Sequence, residues 1–276
     1  MPSPCISIAS SNTTPSDLPV ELLAKKSKLT ASDFEIQRTV IFIVGKDKRM
    51  LEMPRRAVCE SSELIYGEFK DFPDTSLLIK EFPNASVEIF TLFLVWLSTG
   101  DLNNAEHLAS PLGGEISLNL QDTTEKLGQL IQYYNLSEEL VARPFQNYIT
   151  DQICDYLERL VHKDGILEKT IVGNIPLVYG DAPKESKLKC LLEDAIVTRT
   201  MGLARFKIAN IPEHEPMVSE FWNGVATTAI QRIKELEAGR MRFPLNWGEE
   251  ELCKYHEHKN DDEVEDCREK RLGGPR

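Results

Sequence analysis

The chain has no run approaching the ~18 uncharged apolar residues that a membrane-spanning helix requires, so none is expected in its 276 residues. The opening MPSPCISIASSNTTPSDLP lacks the basic start and continuous apolar stretch of a secretory signal. Cysteine is sparse. The six, at positions 5, 59, 154, 190, 253 and 267, are too scattered for a disulfide scaffold. Cys59 and Cys154 fall in amphipathic segments, where a free thiol packs as a small hydrophobe. Without a secretory route the sequons at Asn12, Asn84 and Asn135 carry little weight, and the expectation is an intracellular, reduced protein, cytoplasmic and/or nuclear. Basic charge is also short: 32 Lys and Arg stand against 44 Asp and Glu, a net charge of −12. That balance opposes binding to nucleic acid or an anionic membrane, which needs a basic surface to release counterions. The densest basic cluster, Lys25, Lys26 and Lys28, lies in a polar segment and reads as solvated.

Catalytic signatures are missing too. None of His107, His162, His214, His256 and His258 stands in a nucleophile or zincin setting. Gly113-Gly114 has no following Lys-Ser or Lys-Thr and cannot be a phosphate loop. No catalytic residue and no cofactor is assigned, and the expectation is a protein that is not an enzyme. No internal repeat appears at solenoid or propeller periods.

What is present is an ordinary core-forming composition, 41% hydrophobic and 28% charged, long enough for one large or two modest domains. Residues 1–33, rich in Ser, Pro and Thr, read as a disordered leader. Val40-Ile41-Phe42-Ile43-Val44, stopped by Gly45-Lys46-Asp47-Lys48 and followed by Met50-Leu51-Glu52-Met53, predicts a hairpin closed by Pro54. Residues 56–69 predict two short helices, with Gly67 a possible break. Leu77-Leu78-Ile79 predicts a short buried strand. Ser86 as N-cap, Glu88 in the first turn and Gly100 at the end bracket a helix whose Val87, Phe90, Phe93, Leu94 and Leu97 share a face.

Pro111 and Gly113-Gly114 mark a loop, with 116–118 a possible strand. Helices are expected over 124–134 and 138–160, Pro144 delaying or bending the second. A helical region follows over 171–247: Leu188, Leu191, Leu192, Ala195 and Ile196 suggest one helix, and Phe221, Val225, Ile230, Ile233 and Leu236 one or two more. Residues 248–276 are an acidic tail, with nine carboxylates against two lysines over 249–266, expected to be disordered.

The order of these elements resembles the BTB/POZ family. Val40, Phe42 and Val44 match its first strand, Leu51 and Met53 the second, and Leu77 and Ile79 the third. Ala57-Val58-Cys59-Glu60-Ser61-Ser62 is similar to its leucine–cysteine–serine helix start. Phe90, Leu94, Trp96, Leu97, Thr99 and Gly100 match its long helix and its ending, and Leu130 and Tyr134 its closing helix pair. The match spans residues 36–160, just under half the chain. The whole chain further resembles the short stand-alone BTB proteins of filamentous fungi, through Pro176-Leu177-Val178-Tyr179, Lys187-Leu188-Lys189 and Cys253-Lys254-Tyr255-His256-Glu257-His258. Met53-Pro54-Arg55 departs from the family's Val-His-Lys: the basic residue is kept and the histidine is lost.

The fold class implied is α+β, a BTB/POZ-like small sheet flanked by helical hairpins over 36–160, followed by a mainly helical C-terminal region. The resemblance implies a protein–protein interaction module that self-associates and recruits partner proteins. The alternatives are a substrate adaptor for a cullin-type ubiquitin ligase or a transcriptional co-regulator. Phe72-Pro73-Asp74 occupies the place of the family's cullin-contacting motif, which makes Phe72 and Asp74 the partner-binding residues; a plain surface loop is the competing reading. The chain carries no propeller or β-sandwich to bind a substrate. A strand such as Val40–Val44 at a sheet edge invites pairing with another chain, so a homodimer is expected. Cys253, His256, His258 and Cys267 alone resemble a metal site. Their spacing by itself favours incidental ligands in a solvated tail, and no metal is assigned.

Overall fold

A computed structural model describes residues 38–73, 76–102, 120–161, 165–180, 186–199, 216–239 and 252–271. The expected leader, the loop around Pro111 and Gly113-Gly114, and the possible strand at 116–118 lie outside these residues. The fold is α+β, with one small sheet and many helices. Strands β1 (Thr39–Val44) and β2 (Arg49–Pro54) form the expected antiparallel hairpin. β3 (Leu78–Phe82) runs parallel to β1 on its other side, giving the order β2-β1-β3. β1 is therefore the central strand, which corrects the expectation that it forms a sheet edge. The reason is topological: a parallel partner needs a crossover connection, and helices α1 (Arg55–Ser61) and α2 (Glu63–Phe69) supply it. β3 is a half-buried edge strand, not the wholly buried strand expected from Leu77-Leu78-Ile79. Leu78 and Phe82 face the core, while Ile79 and the preceding Leu77 are exposed.

One face of the sheet builds the core. Val40, Phe42 and Val44 alternate inward, as a half-covered strand requires, and meet α3 (Val87–Thr99). Rings continue the contact outward: Phe90 lies 5.1 Å from both Phe42 and Phe82, and Phe145 lies 5.2 Å from Phe93 and 5.0 Å from Trp96. The ends of α3 are as the sequence predicts. Ser86 Oγ accepts from the Ile89 amide at 3.4 Å, and Gly100 closes the helix at φ 72° with its N–H donating to the Trp96 carbonyl. α2 runs straight through Gly67, which the sequence offers as a possible break.

Phe145 belongs to α5 (Arg143–Leu160), which pairs with α4 (Leu120–Glu139). Pro144 sits in the first turn of α5, where its missing N–H costs nothing. The connection places Val141 at φ 49°, strained for a β-branched residue, and ties it down: Val141 O accepts from the Glu63 amide, and Ser62 Oγ donates to Leu140 O at 2.5 Å. Tyr148 of α5 holds the end of α3, donating to Asp101 Oδ1 at 2.9 Å and accepting from the Leu102 amide at 3.0 Å.

Beyond residue 160 the described residues form α6 (Ile166–Gly173), α7 (Ile175–Tyr179), α8 (Lys187–Arg199) and α9 (Pro216–Glu237), ahead of the tail. The core passes into them without a seam, from Leu127, Leu130 and Ile131 to Ile171, Val178, Leu188 and Phe221. α9 is a single helix, where the sequence leaves one or two open. Val218, Phe221, Val225, Ala229 and Arg232 are buried, whereas Ile230 and Ile233 are 55% and 52% exposed. Arg232 is held inward by an ion pair with Asp194 of α8. The tail also differs from expectation. Over 252–271 it is ordered, with a 3-10 turn at Cys253–Tyr255 and a helix, α10 (Asp261–Arg271).

Candidate functional site

Strand alternation that sends Val40, Phe42 and Val44 to the core sends Ile41 and Ile43 to the opposite face. The register sets their neighbours. Met50 lies opposite Ile43, and Glu52 and Ile79 flank Ile41 on its two sides. Met50 is 64% exposed and Ile79 46% exposed, and these four apolar side chains stand apart from the core cluster. Glu52 and Glu81 border them on the same face. The result is an apolar stripe across an outer sheet face, bounded by carboxylates.

Phe72 lies in the turn after α2, 51% exposed, with its ring edge-on to Phe69 at a 6.0 Å centroid separation. Arg55 braces that turn. Its guanidinium donates to the Phe69 carbonyl and, at 3.3 Å, to the Phe72 carbonyl. Arg55 thus closes the C-terminal end of α2, whose last carbonyls need donors. Asp74, the second predicted partner-binding residue, lies outside the described residues.

The tail is fastened by two sets of polar contacts. At its start, Asp194 is buried and receives Arg232 through two bonds, Nε to Oδ1 at 2.9 Å and Nη2 to Oδ2 at 2.5 Å. Lys254 Nζ adds a contact at 2.8 Å, and the Tyr255 hydroxyl donates to the same carboxylate. Burial raises the Asp194 pKa, but Arg232, Lys254 and Tyr255 outweigh it and hold the carboxyl below the ordinary range. Burial, then the Asp194 charge, pushes the Tyr255 phenol upward, so it stays a donor. Further on, Asn147 of α5 grips the backbone of Glu257 from both sides: Glu257 N donates to Oδ1 at 2.7 Å, and Nδ2 donates to Glu257 O at 2.9 Å. Lys187 donates to the next carbonyl back, that of His256.

Between these anchors the tail gathers its cysteines and histidines. Cys253 Sγ lies 3.3 Å from His258 Nε2, and Cys267 Sγ lies 3.3 Å from His256 Nδ1. The ligand atoms of Cys253, His258 and Cys267 all fall within 4.8 Å of one another. Cys253 and His256 are buried; His258 and Cys267 are half-buried. Burial holds the His258 imidazole below its ordinary value, against the raising effect of a Cys253 backbone contact. His256 Nε2 meets Asp151 Oδ1 of α5 at 3.0 Å. The spacing of the four residues was visible in the sequence. Asp151, Asn147 and Asp194 were not, because their partners lie many tens of residues away and no local pattern marks them.

Among the described residues, no helix is long and apolar enough to cross a membrane. No family model, no curated protein and no solved structure matches this chain.

Proposed function

We propose that the protein is a non-enzymatic protein–protein interaction module of the BTB/POZ kind, self-associating and recruiting partner proteins. The observation that carries this reading is the outer sheet face, where Met50, Ile43, Ile41 and Ile79 form an apolar stripe bordered by Glu52 and Glu81. Apolar surface collected in one place and rimmed by charge is the usual character of a protein-binding patch. The order of strands and helices supports the family assignment: a hairpin, two short helices, a parallel third strand and a long capped helix. Self-association would proceed through this face, since β1 has both sides paired and offers no edge. Sedimentation of the full chain at micromolar concentration is expected to give twice its 31.3 kDa mass. A species of single mass only would refute self-association.

The exposed ring of Phe72 on a braced turn favours a second reading, docking to a cullin scaffold. Affinity recovery from the native cell tests it. A cullin recovered with the wild-type chain and lost with Phe72→Ala and Asp74→Ala supports the adaptor role, whereas recovery unaffected by both changes rejects this turn as the contact.

A further inference from the structure

We propose that Cys253, His256, His258 and Cys267 bind one zinc ion, and that this ion fastens the acidic tail to α5. The donor set is two sulfurs and two imidazole nitrogens, which suits zinc and not the oxygen-seeking magnesium or calcium. The geometry is close to what a tetrahedral site demands. With Zn–S about 2.3 Å and Zn–N about 2.0–2.1 Å, adjacent sulfur and nitrogen ligands lie about 3.5 Å apart. Both Cys–His pairs stand at 3.3 Å. Three of the four ligand atoms, those of Cys253, His258 and Cys267, lie within 4.8 Å of each other, and His256 joins them through its approach to Cys267.

The surroundings fit the same ligand. Asp151 Oδ1 lies 3.0 Å from His256 Nε2, so a proton shared there would leave the Nδ1 lone pair beside Cys267 for the ion. A carboxylate behind a ligating histidine is the common outer-shell partner of zinc sites, fixing ring orientation and raising its basicity. Charge balances as well. Binding releases the two thiol protons to solvent, and two thiolates with two neutral imidazoles neutralise the divalent ion, so the buried centre carries no net charge. All four coordination positions are filled by the protein, the mark of a structural rather than a catalytic site.

A cross-link also accounts for order in this segment. α10 reads DDEVEDCREKR, and none of residues 261–269 is buried. Eleven residues of that composition are too short and too polar to hold a helix by propensity or by burying a face. Cys267 is the residue by which α10 would reach the metal, while Cys253, His256 and His258 bring the turn and the strand-like stretch after it. Through Asp151 the centre is joined to α5, next to the Asn147 clamp on Glu257.

The test uses the full chain, purified under reducing conditions and dialysed against metal-free buffer. Elemental analysis is expected to return about one zinc per chain. Replacement by Co2+ is expected to give the thiolate charge-transfer and d–d absorption of a tetrahedral site. Cys267→Ser, at a half-buried position, is expected to lose the stoichiometric zinc and the cobalt spectrum. Asp151→Asn should keep both but release zinc to a chromophoric chelator with an affinity lowered about 10–100-fold. A chelator should lower the thermal midpoint of the wild type and leave that of Cys267→Ser unchanged, which separates a metal role from a packing role of the thiol. A folded wild-type chain with no retained zinc and no cobalt absorption would overturn the proposal, leaving thiol–imidazole hydrogen bonds. A Cys253–Cys267 disulfide, found by mass under non-reducing conditions in place of zinc, would overturn it equally.

Discussion

Asp194 ties α8, α9 and the start of the tail together. It is buried with Arg232, Lys254 and Tyr255 all bonded to its two oxygens, and removal of one partner from such a set leaves charge stranded in the interior. Asp194→Ala is therefore expected to cost about 3–5 kcal/mol in denaturant unfolding. The sign of the pH effect follows from the lowered pKa. Because the folded value lies below the unfolded one, the contribution of Asp194 is fully present above the ordinary carboxylate pKa of about 3.9 and is lost as pH falls through the depressed folded value. Acid unfolding of Asp194→Ala, compared with wild type below about pH 4, should accordingly show a shallower loss of stability. Gly224 is a second sensitive position. A Cβ there would meet Glu193 Oε1 at 1.9 Å, and that oxygen already accepts from the Tyr179 hydroxyl at 2.7 Å. Gly224→Ala should displace Glu193 and cost about 1–3 kcal/mol in the same measurement, through the broken Tyr179 bond.

Elements whose ends are set by local chemistry could be read from the sequence, and those set by distant partners could not. Ser86, Glu88 and Gly100 bracket α3 because capping acts within a few residues. Ser86→Ala should lower stability by about 1 kcal/mol. The burial of Arg232 on α9 escaped because no local pattern marks it, its partner Asp194 lying on another helix. The tail escaped for a related reason. Its composition is that of a solvated segment, and the side chains that order it sit on α5 and α8. For the turn after α2, Arg55 is the determinant. Arg55→Met is expected to leave the core intact while raising amide hydrogen exchange across 69–73, because the donors that close α2 are removed. Unchanged exchange there would mean that the Phe69–Phe72 ring contact suffices.

At the scale of the whole molecule, the strand order β2-β1-β3 decides what the protein can offer a partner. Each strand was visible as an apolar run, but their lateral order depends on where the α1–α2 crossover returns the chain, and nothing local in Val40–Val44 reveals that both its sides are paired. With β1 central, its outward residues Ile41 and Ile43 become the middle of the exposed stripe completed by Met50 and Ile79. The core that supports this face continues into α6–α9, so the sheet rests on the helices up to α9. Sedimentation equilibrium of the wild type against a Met50→Glu, Ile79→Glu double variant tests the interaction reading most directly. Both positions are exposed, so the variant should keep its thermal midpoint to within the usual small effect of surface changes, about 0.5 kcal/mol each. The account predicts a dimer of twice 31.3 kDa for the wild type and a single-mass species for the variant at the same concentration. A wild type of single mass, or a variant that remains fully dimeric, would contradict it.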